Sequence, residues 1–320
     1  MNTTQSVRLI SGSLCRGARG GVTTGCLIVL SASVLFLFWE GPAWGALPAQ
    51  IATAEAEARY QDFFDPGTPA SDPVSAIASA STGPDNGDST TAHAEAAVPA
   101  ELGGPAVKAY SGFSGASPAP NPMDPTLNGR SQASVITHFI VEGGDGPVDV
   151  DLQLAIHGFL QAGNFFSGQP DVSARVELFV QTHLPNGTAS QAFFGTAELT
   201  DRAGSPGDLT VVGDWTLSDW VNVEGDSTID IARNVADVLT LFDGDVFAVE
   251  MTLLTEVHAA GPFEAFAQAD FSNTVGLATG TSTPGATIRQ LVVPEPAGLG
   301  MLGFAGSLVM FRARRRCQAA

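Results

Sequence analysis

The sequence predicts an all-β protein: one antiparallel β-sandwich, jelly-roll-like, over residues 72–293, flanked by an N-terminal signal helix and a short C-terminal transmembrane helix. Three observations point there. Short runs alternating apolar with polar residues recur along that stretch, separated by Gly, Pro, Asn and Asp. Almost nothing between Ala46 and Val293 has the spacing of a long amphipathic helix. The three cysteines, Cys15, Cys26 and Cys317, lie outside it, so a sandwich here is held by packing, with no disulfide, thiolate metal site or cysteine nucleophile.

In chain order, Arg8, Arg16 and Arg19 precede an apolar stretch, Val22 to Trp39, and the small residues Ala43, Gly45 and Ala46. That is the layout of a secretory signal peptide over residues 1–46. Cys26 precedes the hydrophobic run instead of ending it, which excludes a lipoprotein reading. Residues 47–71 are expected to be a loose N-terminal segment. Residues 72–130 have the Ala, Pro, Ser, Gly and Thr content of a disordered stalk. Yet Ala76, Ala78 and Ala80 alternate, as do Ala92, Ala94 and Ala96, then Val107 and Ala109. Strands with alanine facing inward against bulkier partners are the favoured reading. Later runs are expected as strands at 134–141, 148–156, 172–180, 192–199, 209–217, 246–257, 263–277 and 286–293. Residues 229–242 stay open: Ile231, Val235, Val238, Leu239 and Phe242 have helical spacing in a stretch that suits a strand as well.

The end of the chain is organised differently. Pro294-Glu295-Pro296 is followed by an uncharged run of 15 residues, Ala297 to Phe311, and then by Arg312, Arg314, Arg315 and Arg316. At ~1.5 Å per residue that run spans roughly 22 Å as a helix, short of the ~30 Å hydrocarbon core. Gly298, Gly300, Gly303 and Gly306 weaken it further. The arginines favour the cytoplasmic side, which puts the rigid Pro-Glu-Pro on the far face. An ordinary C-terminal anchor is the plainer alternative. These three parts, in this order, resemble the PEP-CTERM sorting signal of Gram-negative bacteria. The resemblance covers 27 of 320 residues. It implies recognition and cleavage by exosortase after passage through the export translocon, a transient inner-membrane anchor, and delivery to the cell surface or an exopolysaccharide matrix. It implies no activity. Residues 265–277 also resemble the closing strands of β-sandwich surface proteins that carry this tail.

Charge narrows the partners. Between Ala46 and Val293, 7 basic residues stand against 31 acidic ones, a net charge of −24. Such a surface repels phosphate backbones, which argues against nucleic acid. His93, His138, His157, His183 and His258 are scattered singly, without metal-ligand spacing. Asp145, Asp149 and Asp151, with Asp243 and Asp245, are weak calcium candidates, since hard oxygen ligands suit that ion but the EF-hand loop pattern is missing. No other cofactor is expected. Trp215 and Trp220 are candidate glycan contacts; five residues apart, they fall on opposite faces of a straight strand, so one is expected in the core. Phe165-Phe166 and Phe193-Phe194 likewise fit burial between layers.

The expected function is therefore non-catalytic: an exported, structural or adhesive protein of the cell surface or extracellular matrix. A carbohydrate-binding module is the alternative, to be decided by exposure of Trp215 or Trp220. A secreted hydrolase ranks third, because 31 acidic residues offer no way to choose a catalytic pair.

Overall fold

Every second residue of Val172–His183 is buried: Val172, Ala174, Val176, Leu178 and Val180 point inward, while Ser173, Arg175 and Glu177 point out. This two-residue period builds most of the molecule. The computed structural model describes residues 47–60, 63–83, 89–98, 104–116, 126–164, 172–202, 205–223, 226–235, 239–260, 264–272 and 275–291. The expected signal segment, Phe165-Phe166, Pro294, Glu295, Pro296, the apolar run 297–311 and Arg312, Arg314, Arg315 and Arg316 lie outside them. Among the described residues no helix is long and apolar enough to cross a membrane. The described residues all belong to one compact unit, Pro42–Ala320.

The strands are β1 (Ile51–Tyr60), β2 (Phe63–Asp65), β3 (Ala70–Asp72), β4 (Ser75–Thr82), β5 (Ser89–Ala97), β6 (Ala106–Ala116), β7 (Thr126–Glu142), β8 (Val148–Asn164) and β9 (Val172–His183). They continue with β10 (Ala189–Arg202), β11 (Ser205–Gly213), β12 (Trp220–Val223), β13 (Asp226–Asn234), β14 (Leu239–Leu241), β15 (Val246–Ala260), β16 (Glu264–Asp270), β17 (Val275–Thr281) and β18 (Thr287–Leu291). One sheet runs β11-β10-β9-β15-β7-β1-β2, with β3 also on β1 and β18 on β7. The other runs β12-β13-β8-β16-β6-β5-β4, with β14 and β17 on β8 and β17 also on β6. We call them the first and second sheets. Every pairing among these strands is antiparallel.

The sandwich expectation holds, but the connectivity differs from a jelly roll. Three consecutive strands pair as neighbours at an end of each sheet, β4-β5-β6 and β9-β10-β11, where a jelly roll would interlock two Greek keys. Single strands then cross between sheets, as β6 to β7 to β8 to β9 does.

The described residues of 47–71 are not loose: most of them lie in β1, β2 and the start of β3. β1 pairs along its whole length with β7, from Ile51 opposite Ile136 to Tyr60 opposite Leu127. Its inward residues before Tyr60 are Ala52, Ala54, Ala56 and Ala58, whose small side chains give the alternation too little hydrophobic contrast to stand out. The favoured strand reading of the alanine-rich stretch is what β4, β5 and β6 show. In 229–242 the described residues are strand over 229–234 and 239–241 and form no helix, with Ile229 and Ile231 of β13 opposite Gly158 and Ile156 of β8. The 263–277 run holds two strands, β16 and β17: Asp270 pairs with Phe159 and Val275 with Ile156, four residues intervening on one side against two on β8.

The interior has two characters. Around β1, β4 and β5 the facing residues are alanine, and backbones of opposed strands come within 8 Å, closer than the ~10 Å usual for stacked sheets. The approach leaves no slack: a Cβ on Gly129 of β7 would sit 3.2 Å from the Thr91 carbonyl oxygen of β5. Asp65 fastens this edge, accepting from the Ser81 and Gly67 N–H groups at 2.9 Å. Those two bonds, Ser81 first, hold its carboxyl below the ordinary value of 3.8. Around β8, β9, β13 and β15 the facing residues are Leu154, Leu178, Leu253 and Phe247, with aromatics toward the corner. Between the two zones Thr255 Oγ1 lies 3.0 Å from Ser111 Oγ and 2.8 Å from Ser131 Oγ, joining the sheets through fully buried hydroxyls.

Candidate functional surface

Trp215 and Trp220 are 3% and 6% exposed, so neither offers a stacking face to a sugar. The segment between them is no straight strand. β11 ends at Gly213 (φ 85°), and a 3-10 turn at Leu217–Asp219 reverses the chain, so both indoles enter the core. Asp219 holds that turn by accepting from the Thr216 N–H at 2.8 Å and from Arg233 at 3.4 Å. The rings of Phe193, Trp215, Trp220 and Phe271 follow one another at centroid distances of 5.9, 5.6 and 6.4 Å, each contact edge-on. Glycine makes room beneath two of them: a Cβ on Gly195 would strike the Trp215 ring, and one on Gly158 the Phe271 ring. The glycan contacts expected at Trp215 and Trp220 are thus core residues.

Two of the calcium candidates, Asp243 and Asp245, are engaged in turn hydrogen bonds. Asp243 accepts from the Gly143 N–H at 2.7 Å and Asp245 from the Phe242 N–H at 2.9 Å, tying loop 143–146 to turn 242–245. Asp149 accepts from Thr240 Oγ1 at 3.2 Å. Among the described residues, Asp145 and Asp151 included, no three carboxylate, imidazole or thiol groups converge to hold a metal.

The histidines are dispersed over both outer faces. His93 lies 2.8 Å from Ser79 Oγ, His157 3.5 Å from Asp230, and His183 3.2 Å from Glu250. His258 is exposed on β15. His138, on β7, is covered by the segment before β1: its Nε2 donates to the Pro48 carbonyl oxygen at 2.8 Å, while Nδ1 is buried with no partner. Burial pushes its pKa below 6.5, more than the Pro48 bond raises it.

The outer face of the first sheet carries a row of alternating charge, Glu198-Arg175-Glu256-Arg130-Glu57, one residue per strand from β10 to β1. Arg130 and Arg175 lie 3.3 and 3.8 Å from Glu256. Such solvent-facing pairs contribute little each.

The outer face of the second sheet is different and is the candidate site. Register aligns Ala97, Ala106, Gly276, Ala155 and Ala232 across five strands, and the last four floor a trough of about 400 Å³ beside the His157–Asp230 pair. Farther along β6, toward β5 and β16, lies a second hollow of about 320 Å³, lined by residues that include Tyr110, Phe266, Gln268, Thr91, Ser89 and Ser114. Here outward glycines lie beneath aromatic rings. A Cβ on Gly112 would strike Tyr110 and one on Gly163 would strike Phe266, so both rings lie down across the sheet. The row between them is Thr91-Gly112-Gln268-Gln161. Gln268 is fixed by donating from Nε2 to Asp270 at 3.3 Å, and Asp270 in turn accepts from the Ser272 N–H and hydroxyl at 2.9 and 2.6 Å.

Sequence reasoning did not single out Tyr110, Phe266 or Gln268. Tyr110-Ser111-Gly112 and Phe266-Ala267-Gln268 do alternate, but only the cross-strand register shows that they share a face.

No protein-family model matches the chain, and no curated protein or solved structure is significantly similar to it.

Proposed function

We propose that the chain is an exported, non-catalytic β-sandwich with a structural or adhesive role at the surface, or in the extracellular polymer layer, of a Gram-negative bacterium. In this reading the translocon exports it by residues 1–46, and the segment 297–311 holds it briefly in the inner membrane. Exosortase then cleaves at Pro294-Glu295-Pro296. The observation that carries the proposal is the three-part tail of rigid breaker, short apolar run and terminal arginines. Two properties of the folded part support it. Its stability rests on packing and hydrogen bonds rather than on disulfides, so it tolerates any redox compartment. Its acidic excess favours solubility in a hydrated polymer. Replacing Arg312, Arg314, Arg315 and Arg316 with neutral residues should strand the protein before it reaches the surface, measured by fractionation of producing cells. Unchanged sorting would show that the tail is only an anchor.

A further inference from the structure

We propose that the hollow between Tyr110 and Phe266 on the outer face of the second sheet binds a neutral polysaccharide segment. The inference rests on the reading of the chain as a polymer-layer protein, and it supplies that reading with a contact.

Four observations converge. The hollow, about 320 Å³, falls within the size range of small-molecule sites, about 300–1,000 Å³. Its two aromatic rings lie across Gly112 and Gly163 rather than standing off the sheet. A recumbent ring on a sheet offers a flat apolar platform to the C–H face of a pyranose. The polar lining side chains are three hydroxyls and an amide, Ser89, Thr91, Ser114 and Gln268, which match sugar hydroxyls as donors and acceptors. No lining residue is Asp, Glu, Lys or Arg, in a chain whose net charge is −19. The nearest carboxylate, Asp270, is committed to Ser272 and to the Gln268 amide nitrogen, which leaves the Gln268 carbonyl oxygen to accept from the ligand. A charged polymer would have no counter-charge here, and a uronate would be repelled by the surrounding surface.

The geometry also sets a direction. Successive outward positions along a strand are about 6.8 Å apart, so a sugar chain laid along β6 and β16 would meet Tyr110, then Gln268, then Phe266. The alanine and glycine trough beside His157 and Asp230 is lined by no Phe, Tyr or Trp and does carry a carboxylate, so the assignment is to the Tyr110–Phe266 hollow alone.

The test uses the chain purified from producing cells, with cellohexaose and dextran as neutral probes and polygalacturonate as the charged one, read by calorimetry and affinity electrophoresis. Binding to a neutral probe with none to polygalacturonate is expected. Phe266→Ala and Gln268→Ala should each weaken it roughly tenfold, the worth of one lost stacking or hydrogen-bonding contact. Gln268→Glu, which removes the amide donor and sets a second carboxylate against Asp270, should weaken it at least as much, and a melting curve recorded alongside shows whether the fold is retained. Asp230→Asn, beside the other trough, should leave it unchanged. Failure of both neutral probes, preference for polygalacturonate, or full binding by Phe266→Ala and Gln268→Glu would each overturn the assignment. None of these outcomes bears on export, which the chain termini report separately.

Discussion

The two zones of the sandwich solve the same packing problem in opposite ways. Where β1 faces β4 and β5, ten alanines fill the gap: Ala52, Ala54, Ala56 and Ala58 against Ala76, Ala78, Ala80, Ala92, Ala94 and Ala96. Where β10 and β11 turn into β12, the gap is filled by Phe193, Trp215, Trp220 and Phe271, with Gly195 and Gly158 as their seats. The alanine zone gains little per residue from burial and closes the distance between sheets instead. The aromatic zone depends instead on a few large side chains. Each should therefore fail under the substitution the other tolerates.

The largest effect is expected from truncation in the aromatic zone. Trp220→Ala removes the ring that links Trp215 to Phe271 and should lower unfolding free energy by about 3–5 kcal/mol. Denaturant titration measures it, and a loss below about 1 kcal/mol would mean the cluster is not a packed core.

Next comes enlargement in the alanine zone. Ala94→Leu inserts three carbons where opposed backbones approach within 8 Å, and should cost about 1–3 kcal/mol or more. A neutral result would show that the sheets can separate there. Ala94→Gly, the matching truncation, should cost only about 0.5–1 kcal/mol.

Smaller is a pH effect. His138 has its pKa lowered by burial, so between its folded value and the ordinary 6.5 the unfolded chain binds more protons. Stability from this group is whole above pH 6.5 and declines as pH falls below it. Unfolding measured from about pH 7 to about pH 5 should show a steeper acid loss for the native chain than for His138→Gln, and identical slopes would contradict the burial argument.

The smallest effect is expected on the first sheet's outer face. Arg130→Ala removes an ion pair to Glu256 that is open to solvent and should change stability by no more than about 1 kcal/mol, less at high salt.

The contrast between zones also explains what was legible in the sequence. β8, β9 and β15 could be read from Val, Leu and Ile alternating with polar residues. β1 could not, because Ala52-Thr53-Ala54-Glu55 alternates in size too weakly to separate a strand from a loose, alanine-rich segment. Trp215 and Trp220 misled for the converse reason. Their side chains announced themselves, but the 3-10 turn that turns both inward is set by Gly213 and Asp219, whose effect on direction is not visible in spacing. The hollow at Tyr110 and Phe266 was hidden at a further remove, since its residues come from β5, β6 and β16 and meet only through register.

The central claim is that this sandwich works outside the cytoplasm after losing both ends. Mass spectrometry of the protein recovered from the medium and surface fraction of producing cells tests it directly. The account predicts a chain beginning near Ala46 and ending near Pro294. Recovery of the native protein from cytosol with Met1 and Arg316 both present would contradict it.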